Sequence, residues 1–190
     1  MARRPNDAYY TEKAVTLELL KHLTLPHDAT FIEPCNGRGN ISSAIEEKYG
    51  TLSMYRNDID TTIEGLDGYE DASNPKSSLW VHGNRQYKYD ISITNPPYNK
   101  ANDIVPLVYK HCTLTAVLMR LSWLEPTKDR QEFLQLAQPH LALIGILNPR
   151  PRFGSSGTDN VTSCWLVWDK NKLPQTETKI IFMDNWQHNV

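Results

Sequence analysis

The chain has 190 residues, 39% apolar and 22% charged, and Lys+Arg 20 against Asp+Glu 22 leaves a net charge of -2. That length suits one substantial core and is short for two typical domains plus a linker, and the near-neutral balance means that a nucleic-acid partner must be argued from local patches. The chain holds no apolar run long enough to span a membrane, and Met1-Ala2-Arg3-Arg4-Pro5 lacks the apolar stretch of a signal peptide, so a cytoplasmic chain is expected.

In chain order, apolar residues from Ala14 to Leu23 form a helical stripe over 12–24, stopped by Pro26. Thr30 to Glu33 is a short strand ending at Pro34, Gly37-Arg38-Gly39 a tight turn, and Ile41 to Tyr49 a helix closed by Gly50. Ser53 to Asn57 is a second strand running into Asp58-Ile59-Asp60, and residues 61–89 are less regular, with a short strand expected around Leu79 to Val81. Asp90 to Thr94 is a strand that ends where Pro96 and Pro97 forbid further ladder pairing. A helix over 101–111, a strongly apolar strand from Thr115 to Leu121, a helix from Asp129 to Ala137 and a strand from Leu141 to Leu147 follow. Pro149 to Asp159, rich in Pro, Gly, Ser and Arg, reads as a loop, and Ser163 to Trp168 and Lys179 to Met183 are the last strands. Such alternation of short apolar runs and amphipathic stretches predicts an α/β sheet. Three cysteines with no C-x-x-C pair and six histidines with no H-x-x-x-H spacing predict neither disulfide nor metal site.

Glu33-Pro34-Cys35-Asn36-Gly37-Arg38-Gly39 sits where a strand turns into a helix. Glycines there let the backbone approach a ligand, and the helix N-terminus offers free N–H groups to a carboxylate or phosphate. Glu33 would repel a phosphate and attract an ammonium, which points to the amino-acid end of S-adenosylmethionine rather than to a dinucleotide. Asp58 lies 25 positions on, at a strand end where nucleotide-binding α/β folds put a carboxylate on ribose hydroxyls, with Asp60 as the alternative. Asp71, followed by Ala72, is suited to accept a hydrogen bond from an adenine amino group.

Asn95-Pro96-Pro97-Tyr98 is the strongest signal. The lone pair of an aryl-type amine is delocalised into its ring, so a catalyst gains by accepting hydrogen bonds from the N–H groups and favouring a pyramidal nitrogen. The Asn95 amide oxygen and Pro96 carbonyl supply two acceptors, proline makes them rigid, and Tyr98 offers a flat face for stacking a base. Arg120, Lys128, Arg130, Arg150 and Arg152 concentrate basic charge at strand ends and in the Gly/Ser loop, where a substrate backbone can pass. Trp123, Trp165 and Trp168 read as packing residues.

On these motifs the chain resembles the N6-adenine DNA methyltransferases with an Asn-Pro-Pro-Tyr motif, especially the short orphan forms of bacteriophages and prophages. The resemblance runs from Tyr9 to about Lys170, in an order similar to the γ-type arrangement, with Glu12 standing where the family often has proline. It implies a single Rossmann-like methyltransferase domain over 1–190: a mostly parallel sheet with an antiparallel last strand near 163–168. It also implies S-adenosylmethionine as cofactor, S-adenosylhomocysteine as product and no metal. The cofactor set it implies is Tyr10, Thr11, Glu33, Pro34, Asn36, Gly37, Gly39, Asp58, Ile59, Asp71, Ala72 and Asn95; the catalytic set is Asn95, Pro96, Pro97 and Tyr98, and Tyr98, Arg150 and Arg152 face the substrate. Only 95 residues follow Asn95, so no separate target-recognition domain is expected. The implied partner is nucleic acid, DNA before RNA, in a bacterial or phage-infected cell, and a homodimer or a recognition partner would complete the target site. The same tetrapeptide serves rRNA adenine and protein glutamine methylation, and a catalytically silent cofactor-binding subunit is the alternative of another class.

Overall fold

Tyr89-Asp90-Ile91-Ser92-Ile93-Thr94 alternates so that Ile91 and Ile93 point to one side and Ser92 and Thr94 to the other, and all four are buried. A strand buried on both faces needs cover on both. The computed structural model, which describes residues 11–50, 53–81, 88–151, 161–171, 177–184 and 186–188, supplies it with helices. The elements are α1 (Lys13–Leu20), β1 (Thr30–Glu33), α2 (Asn40–Tyr49), β2 (Ser53–Arg56), β3 (Tyr89–Thr94) and α3 (Ala101–His111), followed by β4 (Cys112–Arg120), α4 (Gln131–Ala137), β5 (Leu141–Asn148), β6 (Ser163–Asp169) and β7 (Lys179–Asp184).

The seven strands form one sheet in the order β2-β1-β3-β4-β6-β5-β7. Strand β6 runs antiparallel to β4 and β5, and the other neighbouring pairs are parallel. On one face Phe31, Ile91, Ile93, Leu118 and Trp165 pack with Val15 and Leu19 of α1 and Ile41 and Ile45 of α2. On the other, Val117, Met119, Leu166 and Trp168 pack with Val105 and Tyr109 of α3 and Phe133 and Ala137 of α4. Trp123, Trp165 and Trp168 are all buried. The antiparallel strand falls where it was expected, but β7 follows it in the chain and pairs in parallel with β5 at the sheet edge.

The structure differs from the sequence reading at other places. Leu79 to Val81 is no strand: Ser77 N–H donates to the Asn74 carbonyl at 3.0 Å and Trp80 N–H to the Ser77 carbonyl at 3.0 Å, and successive turns of this kind use the groups a ladder needs. Helix α1 stops at Leu20, where Lys21 and His22 N–H groups bond three residues back and tighten the end. Strand β4 begins at Cys112, directly after α3, where Cys112 pairs with Tyr89 of β3; the Lys170 ammonium, just past β6, bonds the Tyr109 and Cys112 carbonyls and so caps the helix end. Most of the loop read over Pro149 to Asp159 lies outside the described residues.

Candidate functional site

From β1 the chain proceeds to β2 on one side, from β3 to β4 on the other, and β1 and β3 lie side by side. Where the strand order reverses, outgoing connections part and leave a crevice at the carboxyl ends of the strands. Glu33 closes β1 and Asn95 follows the last residue of β3, so the two motifs arrive at one place.

The turn after β1 needs its glycines: Gly37 and Gly39 have φ of 52° and 78°, a region costly for any residue with a Cβ. Gly39 N–H donates to the Asn36 carbonyl at 2.9 Å, and the Ser42 hydroxyl donates to Asn36 Oδ1 at 2.8 Å. Asn36 thus holds the turn. Helix α2 starts at Asn40, and its first-turn N–H groups border the crevice.

Asp58 closes the same turn from the neighbouring segment, its Oδ2 accepting the Gly37 N–H at 2.7 Å and its Oδ1 the Asp60 N–H at 3.0 Å. Asp60 instead accepts the Thr62 N–H and hydroxyl in its own exposed turn, so of the two carboxylates read from the sequence only Asp58 reaches the glycine turn. Ile59 beside it is 54% exposed, an apolar surface next to that carboxylate. Asp71 accepts the Ser73 hydroxyl and N–H, which lower its carboxyl from the ordinary value, helped by the Lys100 ammonium just past the Asn-Pro-Pro-Tyr motif. Ala72 is buried, its carbonyl accepting Trp80 Nε1–H.

Thr11 joins the two motifs. Its carbonyl accepts from Asn40 Nδ2 at 2.7 Å and its hydroxyl oxygen accepts from Asn95 Nδ2 at 3.1 Å. With Nδ2 committed to Thr11, the Asn95 amide is oriented and its oxygen end is set. Tyr98 is half-buried, and the Arg120 guanidinium carbon, at the end of β4, stands 5.0 Å from its ring centroid. Arg130, one of the basic residues read from sequence as lying where a substrate backbone can pass, is engaged elsewhere: it donates to the Trp123 carbonyl at 2.6 Å and the Thr127 hydroxyl at 2.9 Å, pinning the loop after β4. Arg150 is exposed two residues past the end of β5, whereas Tyr10, Arg152 and the Gly154 to Gly157 stretch lie outside the described residues.

Sequence reasoning missed Asn57. It is fully buried, and its side chain donates to the Pro34 carbonyl at 3.0 Å and the Glu70 carbonyl at 2.9 Å while accepting the Glu70 N–H at 2.8 Å. Its backbone adds Asn57 N–H to the Glu33 carbonyl and Asn36 N–H to the Asn57 carbonyl. One amide therefore holds the glycine turn, the Asp58 segment and the approach to Asp71 together.

Glu33 carries the strongest electrostatic signal. It is 1% exposed; Oε1 accepts the Cys35 N–H at 3.2 Å, and Oε2 has no hydrogen-bond partner among the described residues. Burial pushes its carboxyl from 4.5 up to about 8; the Cys35 N–H and the neighbouring Thr94 hydroxyl, which makes no well-formed hydrogen bond to it, work against that, and the Asp58 carboxylate adds to it. The same burial, with the Glu33 and Asp58 charges, raises the Cys35 thiol. A raised carboxyl means that the folded state binds the proton more tightly than the unfolded chain. Stability from this group is therefore full below about 4.5, falls as pH rises through the window, and is lost by about 8. Without ligand the chain is expected to lose a few kcal/mol of stability across that window, and Glu33→Gln to remove most of the loss. Denaturant titrations from pH 5 to pH 8.5 read it; equal slopes for both proteins contradict it. The cysteines are free thiols, and no group of three or more His, Cys, Asp or Glu residues that could hold a metal occurs among the described residues.

No protein-family model matches the chain, and a search of curated proteins finds no match. Solved structures do resemble it. A type I restriction-modification system methyltransferase subunit from Streptococcus thermophilus superposes with a TM-score of 0.64 at 14% identity, over 86% of this chain and 45% of that one. A candidate class I S-adenosylmethionine-dependent methyltransferase from Listeria monocytogenes gives 0.66 at 11% identity, over 97% and 68%. A candidate RNA methyltransferase from Pyrococcus horikoshii gives 0.61 at 12%, over 88% and 91%. The chain spans about half the length of the restriction-modification subunits it resembles. At these identities the likeness is one of fold: an α/β, mostly parallel sheet of the kind found in S-adenosylmethionine-dependent methyltransferases.

Proposed function

We propose that the chain is an S-adenosylmethionine-dependent methyltransferase acting on N6 of adenine in nucleic acid, DNA before RNA. The observation that carries the reading is a buried, half-satisfied carboxyl group, Glu33, set at the strand reversal beside Asn-Pro-Pro-Tyr, where an ammonium would favour its ionised form. Glu33 Oε2 suits an ammonium, Asp58 and the exposed Ile59 suit a ribose and the ring attached to it, and Asp71 suits a ring amino group; together these fit an aminoacyl nucleoside better than a phosphate. When bound, S-adenosylmethionine supplies a sulfonium methyl and is converted to S-adenosylhomocysteine.

The residues then divide the work. Thr11 orients Asn95 so that its amide oxygen accepts one N–H of the target amine. The Pro96 carbonyl accepts the other, held rigid by the ring that follows at Pro97. Both bonds strengthen as the nitrogen pyramidalises and gains positive charge, so they favour the transition state over the ground state. The amine's lone pair forms the new nitrogen–carbon bond, and its proton leaves to solvent afterwards. Tyr98 stacks the ring, and in a duplex the target base must leave the stack to reach it. In this reading residues 1–190 act as one catalytic domain, and target selection beyond a short context comes from a second copy or another protein.

Calorimetry with S-adenosylhomocysteine tests the cofactor half. The wild type should bind, and Asp58→Ala should lose roughly tenfold to a hundredfold in affinity by removing a charged acceptor. Wild-type protein that binds neither S-adenosylmethionine nor S-adenosylhomocysteine would sink the proposal.

A further inference from the structure

We infer that Arg120 is a positioning residue for Tyr98 that biases the site toward a flat aminated ring and against a primary amide; this rests on the methyltransferase reading above. The Thr94 to Val117 pairing aligns β3 with β4, so the last residue of β4 arrives beside the tetrapeptide that follows β3. There its guanidinium lies over the Tyr98 ring, 5.0 Å from the centroid. The loop beyond it is braced: Leu121 N–H donates to the Thr162 carbonyl at 2.9 Å, Trp123 Nε1–H to Asn102 Oδ1 at 3.1 Å, and Arg130 holds the Trp123 carbonyl. Arg120 therefore does not approach Tyr98 from a slack loop. It comes from a sheet end tied to both neighbouring segments.

A cation on one face of a tyrosine does two things. It fixes the ring plane, because the attraction is lost when the ring turns edge-on. It also draws π density toward that face, so the opposite face meets an electron-rich ring more favourably. An aminopurine gains from such a surface over its whole area, whereas an amide group has little area to stack. Arg120 thus acts through Tyr98, without contact to the methyl donor.

The test compares wild type, Arg120→Lys, Arg120→Leu, Tyr98→Leu and the Arg120→Leu/Tyr98→Leu double variant on single-stranded oligo(dA). Arg120→Leu should lower kcat roughly tenfold, with S-adenosylhomocysteine affinity and thermal midpoint close to wild type, and Arg120→Lys should recover part of the loss. In the Tyr98→Leu background the Arg120 change should add almost nothing, since its partner ring is gone. The salt slope of kcat/KM should be unchanged in Arg120→Leu; a slope smaller by about one unit would mean a phosphate contact and overturn the inference. Additive losses, or equal losses of activity and cofactor affinity, would overturn it too. Should the wild type methylate nothing, the enzymatic reading fails while the Arg120 inference still faces a separate reading: the 19F resonance of fluorotyrosine at Tyr98. A shifted or broadened signal in Arg120→Leu supports ring fixation, and an unchanged one contradicts it.

Discussion

Asn95→Ala is expected to lower methyl transfer by roughly a hundredfold to a thousandfold, the usual cost of removing one preorganised hydrogen-bonding group aimed at developing charge. S-adenosylhomocysteine affinity should change little, because the amide oxygen serves the target amine and its nitrogen is spent on Thr11. The side chain is small and half-buried, so folding should survive its truncation. Single-turnover methylation beside calorimetry separates the two effects. Near-normal turnover would remove Asn95 from the chemistry, and a parallel collapse of cofactor binding would make its role one of scaffolding.

Asn57→Leu should be the most damaging change away from the chemistry. The shape is nearly kept, but the Pro34 and Glu70 carbonyls and the Glu70 N–H lose their partner in a fully buried place. Each stranded buried group costs about 1 to 3 kcal/mol, so a loss of about 4 kcal/mol or more is expected. Because the same amide spaces the glycine turn from the Asp58 and Asp71 segments, ligand should restore little of that stability. Thermal denaturation with and without S-adenosylhomocysteine reads both. A variant within about 1 kcal/mol of wild type would show that relaxation or water replaces those bonds.

The parts of the fold that were legible in the sequence are those punctuated by residues with one backbone habit. Pro34 and the Gly37 and Gly39 turn end β1 at Glu33, and Pro96 with Pro97 ends β3 at Thr94, as expected. The end of α1 was less legible, because it stops at Leu20 where hydrogen bonds tighten rather than at a breaker, whereas α4 ends at Ala137 as expected. The start of β4 is set by the pairing of Cys112 with Tyr89 of β3, with Lys170 capping the preceding helix end, and no local pattern carries either partner. Asn57 was overlooked for the same reason: its partners at Pro34 and Glu70 belong to segments that meet only in the fold. Charge was the least legible property. Arg120 and Arg130 look alike in sequence, yet one lies on the Tyr98 ring and the other ties a loop.

The account is tested most directly by incubating the full chain with radiolabelled S-adenosylmethionine and, separately, double-stranded DNA, single-stranded DNA, RNA and protein, then digesting the labelled product to nucleosides or amino acids. The account predicts label in nucleic acid, DNA above RNA, recovered as N6-methyladenine. Label confined to protein glutamine, or no transfer to any of the four by a chain shown to bind the cofactor, would contradict it.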